Sequence, residues 1–191
     1  MRNISLWLGA ALIASAPPAV FGQTPPVAGD RLEGLRLTIP EDPQQQAYLG
    51  LDGPGDFDLL EVSGRLLIVE IFSMYCPHCQ REAPSVNRLY EAIEASTALR
   101  GQVKLIGIGV GNSAYEVDHF RKHYQIPFPL FPDEDFVIHQ SLGEVRTPYF
   151  LIVELGAADK GRIWWTESGK MDSLESYLER LGTFLSKGDA Q

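Results

Sequence analysis

LLIVEIFSMYCPHCQREAP, residues 66–84, reads as a buried strand, a short turn and the opening of a helix. The run from Leu66 to Phe72 is apolar and rich in branched side chains with one charge, the composition of a strand covered on both faces. Its single acid, Glu70, is enclosed by apolar neighbours. Desolvation there raises a carboxyl pKa toward the range useful for moving protons at neutral pH. Pro77 suits the first helical position, where its missing N–H costs nothing. Ala83, Val86, Leu89, Tyr90 and Ile93 then continue a helical stripe to near Ser96, and Pro84 inside that stripe predicts a kink. Cys76 thus stands at the helix N-terminus and Cys79 one turn inside. Free amides and the positive end of the helix dipole favour a thiolate on Cys76 by up to about 2 kcal/mol, or about 1.5 pKa units. A protonated or hydrogen-bonding His78 deepens that effect.

Outward from this stretch the pattern alternates strand and helix, an α/β arrangement. Val103 to Val110 is a second buried strand, and strand, helix, strand implies a parallel pair. Ser113 and Glu116 form a capping box for a helix that buries Val117, Phe120 and Tyr124. Leu130-Phe131 reads as a short strand, followed by a helix from about Asp133 to Leu142. Tyr149 to Leu155 and Arg162 to Thr166 flank a hairpin loop, with the adjacent Trp164 and Trp165 on opposite faces. Leu174, Tyr177, Leu178, Leu181, Phe184 and Leu185 share one face of a final helix. Gln23 to about Gly55 is rich in Pro, Gly and Gln; its one apolar stretch, Leu35 to Ile39, is expected to add a strand to a sheet edge.

The chain has 191 residues, enough for one domain of ordinary size, and 45% hydrophobic content is enough for a core. A net charge of -9 with no basic cluster excludes nucleic acid as a natural partner. Residues 1–22 have the layout of a cleavable signal: Arg2, then an apolar run from Leu6 to Ala16, then small residues before Gln23. That run is too short to span a bilayer, which needs about 20 residues. Export leads to compartments where disulfides persist, yet the chain has only two cysteines, three positions apart. Closing so small a loop stabilises by roughly 2 kcal/mol, against about 3 for fifteen residues, so this spacing favours redox chemistry over a structural bridge. Structural zinc takes four ligands and would need histidines besides the two cysteines. His119 and His123, one turn apart beside Asp118, Arg121 and Lys122, read as a solvated face, and His139 as a packing or surface residue.

These residues resemble the thioredoxin family. In CPHCQREAP a proline, Pro84, follows the second cysteine by five residues; Glu70 stands six before Cys76, where that family has a buried carboxylate; and Arg146-Thr147-Pro148 before YFLIV is similar to its cis-proline loop. The resemblance covers residues 57–185. The longer segment at residues 109–135 and the N-terminal extension look like the extracytoplasmic TlpA/ResA-type branch. What this implies is a thioredoxin-like fold, a central mixed β-sheet flanked by helices, with an inserted helix. Its divisions would be a signal at 1–22, an extension packed on the domain at 23–56, and the domain proper at 57–187. Two departures stand out. Pro77-His78 looks like the strong oxidant DsbA, and Tyr75 replaces the usual tryptophan. The Pro-x-x-x-Thr-x-x-Cys loop of a peroxiredoxin is missing around Cys76.

The resemblance implies a protein thiol–disulfide oxidoreductase, more a reductase than an oxidase, that needs no cofactor or metal. Its catalytic residues would be Cys76, Cys79, Glu70, His78 and Pro148, with Tyr75, Pro77, Arg146 and Thr147 binding substrate. Expected partners are exported proteins carrying disulfides or thiols, and a membrane thiol-reducing carrier, in the periplasm or another extracytoplasmic space. A DsbA-like oxidant and a copper(I) carrier using Cys76, Cys79 and a histidine are the alternatives.

Overall fold

All seven residues of the strand Leu66–Phe72 are buried, which is why its sequence shows no polar–apolar alternation. The computed structural model describes residues 24–188, so the signal-like segment 1–22 lies outside the described residues. In chain order the strands are β1 (Arg36–Thr38), β2 (Asp56–Asp58), β3 (Leu66–Phe72), β4 (Val103–Val110), β5 (Leu130–Asp133), β6 (Tyr149–Glu154) and β7 (Ile163–Ser168). The helices are α1 (Pro43–Leu49), α2 (Pro77–Ala95), α3 (Ala114–Tyr124), α4 (Val137–Ser141) and α5 (Leu174–Gly188). The main sheet runs β5-β4-β3-β6-β7. β3 pairs parallel with β4 and antiparallel with β6, so the strand bearing Glu70 is central, facing Gly107 and Phe150 in register. The absent side chain at Gly107 makes room for Leu130: a Cβ there would lie 2.5 Å from Leu130 Cδ2, which would have to shift.

The two faces of β3 bury against different partners. Leu67, Val69 and Ile71 pack with Leu32, Leu35, Leu37, Leu49, Phe57 and Leu59, so the N-terminal region covers one face of the sheet. Leu66, Ile68 and Phe72 pack with Cys79, Val86 and Leu89 of α2 and Tyr177 and Leu181 of α5. Glu70 shares their parity along the strand and therefore their face. Among the described residues no helix is long and apolar enough to cross a membrane.

Three local expectations are corrected. The stretch from Leu35 to Ile39 does form a strand, but it pairs with β2 in a separate two-stranded sheet rather than joining the main one. It is residues 29–32 that line an edge: Gly29 N–H donates to Ile163 O at 2.9 Å, and Ile163 N–H donates to Asp30 O at 2.8 Å. The helix expected from Asp133 starts only at Val137, because Asp133 ends β5 and its carboxylate accepts from the Ile138 and His139 amides. The two tryptophans do not split between faces. β7 carries a register shift opposite Ile152 and Val153, and both rings meet α5: Trp164 stacks with Phe184 at 5.2 Å and Arg180 lies 4.1 Å over Trp165.

Candidate active site

β3 ends at Phe72, and α2 begins with Cys76 as its N-cap and Pro77 in its first turn. The turn between them is clamped from two sides. Met74 N–H donates to Asn112 Oδ1 at 2.8 Å, and Gln80 Nε2 donates back to Met74 O at 2.8 Å. Cys76 is half-buried and Cys79 fully buried, both as free thiols. Pro84 lies inside α2, which continues past it to Ala95.

Across from the helix start, Thr147-Pro148 is a cis peptide, and the Cys76 thiol donates to Thr147 O at 3.3 Å. Pro148 O accepts from Gly169 N–H at 2.8 Å, tying this loop to the segment after β7. Burial works to raise the Cys76 pKa. It is outweighed by hydrogen bonds from the Thr147 side chain, from the Cys79 backbone and thiol, and from the His78 backbone, and the thiol ends below its ordinary value. Cys79 moves the opposite way, pushed far up by burial and by its donation to Cys76. The two sulfurs therefore differ in kind: one is reachable and favours the thiolate, the other is enclosed and holds its proton. Limited iodoacetamide should accordingly label Cys76 well before Cys79 in the reduced protein. Peptide mapping that found Cys79 labelled first would reverse the assignment.

Glu70 is 4% exposed, and its pKa is pushed up to about 8, first by burial and then by the charge of Glu82. Glu82 was not singled out in the sequence, yet it is only 6% exposed and its Oε1 has no hydrogen-bond partner. A signal was there. Glu82 stands three residues after Cys79 and next to Ala83, on the stripe that α2 turns to the core. Asn112 is likewise not singled out by the sequence; it is fully buried, and its role is to hold the turn before Cys76.

The flanking residues sort by contact. The exposed His78 ring lies 3.0 Å from Arg81 Nη2 through Nδ1, which must accept because guanidinium only donates. What His78 offers Cys76 is its backbone. Tyr75 is exposed and its hydroxyl donates to Glu116, the same carboxylate that completes the α3 capping box. Arg146 and Pro77 are exposed, while Pro148 is buried behind Thr147. His119 and His123 are exposed, and His139 is half-buried with Nε2 2.9 Å from Val145 O. Among the described residues no group of three or more His, Cys, Asp and Glu side chains is placed to hold a metal ion.

Comparison with known proteins agrees with this architecture. The thiol-disulfide oxidoreductase ResA of Halalkalibacterium halodurans is 23% identical over 124 residues, covering 64% of this chain and 65% of the relative. The match thus spans just under two thirds of that relative's length. Among solved structures, StoA from Bacillus subtilis superposes with a TM-score of 0.52 at 24% identity, covering 66% of this chain and 88% of that one. The thioredoxin domain of a thiol-disulfide oxidoreductase from Bacteroides vulgatus gives a TM-score of 0.59 at 16% identity, covering 81% and 96%. These likenesses show the fold, which is thioredoxin-like. The AhpC/TSA family model matches residues 42–162, from the start of α1 through the whole of α2 and the cis-proline loop to the edge of β7, and the chain belongs to that family.

Proposed function

We propose that this chain is an extracytoplasmic thiol–disulfide oxidoreductase that reduces disulfides of exported proteins through Cys76 and Cys79. The observation that carries this is the opposed tuning of the two sulfurs, a thiolate-favouring Cys76 next to a buried, proton-holding Cys79, with Glu70 in the same core. The names of the relatives support it, and the signal-like segment at residues 1–22 supports the location. Peroxidase chemistry is disfavoured by the sequence leading to Cys76, VEIFSMYC, which has Val69 and Ser73 where the Pro-x-x-x-Thr-x-x-Cys pattern has its proline and threonine. A copper(I) site would rest on Cys76 and Cys79 without a third clustered ligand among the described residues.

In the reductive direction the Cys76 thiolate attacks one sulfur of a substrate disulfide. A Cys76–substrate disulfide forms, and the other substrate sulfur leaves as a thiolate that takes a proton from water. Glu70, in its ionised form, accepts the Cys79 proton. The Cys79 thiolate then attacks Cys76 Sγ, releasing the second substrate thiolate and closing the Cys76–Cys79 disulfide. Two electrons have passed to the substrate, and a dithiol carrier at the membrane returns them. Thr147, held in place by the Pro148 behind it, offers its backbone groups to an extended substrate as it lies across Cys76.

The direction is decided by the reduction potential. The Pro77-His78 dipeptide and the lowered Cys76 pKa stabilise the reduced form, while the buried Glu70 carboxyl disfavours a second negative charge nearby. The expected potential lies between those of thioredoxin and DsbA, about -270 and about -120 mV. Equilibration with glutathione buffers measures it, paired with insulin reduction. A value at the DsbA end, with efficient oxidation of reduced substrates and no insulin reduction, would establish the oxidant reading instead.

A further inference from the structure

Among the described residues five large apolar side chains stand exposed, and four of them, Tyr75, Tyr115, Phe136 and Val137, belong to the segments around Cys76. Tyr75 is the wall between two grooves. One, of 390 Å³, runs from Tyr75 past Phe136 to Arg146 and Thr147, whose carbonyl accepts from the Cys76 thiol. The other, of 500 Å³, is lined by Tyr75, Tyr115, Glu116 and Glu134. The walls are held in place. The Tyr75 hydroxyl is fixed on Glu116. Phe136 takes a left-handed backbone conformation, φ 60°, that few bulky residues adopt, and its ring fills the space that a side chain at Gly111 would need, 2.5 Å from the Cβ position.

The chemistry of the two grooves differs. Next to Thr147 the surface is aromatic and aliphatic, with Arg146 and His139 its basic residues. Beyond Tyr75 it is aromatic and acidic, with the imidazole of His119 also on its wall: Tyr115 is 79% exposed, and neither Glu116 nor Glu134 is ion-paired among the described residues. Hydrogen bonds from Tyr75 and Ser113 keep the Glu116 carboxyl below its ordinary range and so ionised. Carboxylates set among exposed aromatic faces attract a cationic side chain twice over, by charge and by the ring quadrupole.

We propose that these grooves receive the chain on either side of the attacked cysteine in a substrate polypeptide, an apolar side chain between Phe136 and Thr147 and a lysine or arginine between Tyr115 and the Glu116 and Glu134 carboxylates. The protein then selects disulfides with basic and apolar surroundings, a choice that its net charge of -9 reinforces during encounter. This selectivity rests on the thiol–disulfide reading above and adds a substrate class to it.

The test uses peptides of equal length whose single cysteine is linked to thionitrobenzoate, flanked by leucine and lysine, by leucine and glutamine, or by leucine and aspartate. The Cys76 thiolate of the reduced protein attacks the peptide sulfur, a Cys76–peptide disulfide forms, and thionitrobenzoate leaves as a coloured thiolate. Hydroxyethyl disulfide, small and uncharged, is the reference, its reaction followed by loss of protein thiols. The lysine peptide should react about tenfold faster than the aspartate peptide at low ionic strength, a difference of about 1.4 kcal/mol. That ratio should shrink with added salt and fall at least about threefold in Glu116→Gln/Glu134→Gln. Replacing leucine with serine in the peptide should slow the reaction less in Phe136→Ala than in the parent. Equal rates for all peptides, with hydroxyethyl disulfide also reduced, would overturn the selectivity and leave the oxidoreductase standing. No reaction with any disulfide would overturn both.

Discussion

Cys76→Ser should lower disulfide exchange by at least about 10³-fold, whereas Cys79→Ala should leave the first attack intact and stop the reaction at the mixed disulfide. The asymmetry follows from position. Cys76 caps α2, is reachable from solvent, and has its thiolate favoured by surrounding hydrogen bonds. Cys79 lies in the core cluster with Val86 and Leu89, fully buried and strongly biased toward the protonated thiol. With Cys76 gone, the remaining sulfur has neither access nor a useful thiolate fraction, and a serine hydroxyl does not replace a thiolate as attacking group. With Cys79 gone, nothing resolves the covalent complex. Gel electrophoresis without reductant should then show Cys79→Ala linked to a model disulfide protein, and thionitrobenzoate release should give the rates. Cys76→Ser activity within tenfold of the parent would exclude Cys76 as the nucleophile.

Much of this site was legible in the sequence because the residues that carry it are close together along the chain. The cysteine spacing, the proline at the helix start and the lone acid in LLIVEIF all lie within nineteen residues, 66–84, and each follows from a local rule. What was not legible depends on contacts made far away. Glu82 is buried because the region where α5 begins closes over that side of α2, where Glu82 shares a cavity with Met171 and Leu174. Asn112 matters only because β4 ends beside the turn before Cys76, bringing together residues 38 positions apart. The tryptophan pair failed the simple alternation rule for a similar reason. The shift opposite Ile152 and Val153 cannot be seen without the partner strand. The α4 start was misjudged by four residues, since Asp133 looks like a cap and does accept from that helix's amides, but across the intervening turn.

Glu70→Gln should have the second large effect, and it should be visible in two unrelated measurements. In the folded protein this carboxyl holds its proton up to about pH 8, against an ordinary value of 4.5. Between those two values the folded state binds more protons at Glu70 than the unfolded state does. By linkage, stability therefore falls as pH rises through that window and levels off above it. At about 1.36 kcal/mol per pH unit, the gap corresponds to a loss on the order of 5 kcal/mol. The Gln variant has no such proton to lose. It should be close to the parent at the acid end and gain on it steadily as pH rises to about 8 in urea unfolding. Resolution of the mixed disulfide should move in the opposite sense, slower by about 10²-fold in the variant, because the Cys79 proton has lost its acceptor. Glu82→Gln separates the two causes of the raised pKa. It removes the repulsive charge but leaves the burial, so the parent's pH dependence should survive with its upper limit moved down only in part. A Glu70→Gln protein whose stability still falls over the same window, and whose mixed disulfide resolves at the parent rate, would show that Glu70 is neither the buried titrating group nor the acceptor. The Cys79 proton would then have to leave by another route, and the enclosed Glu82 would be the next residue to replace.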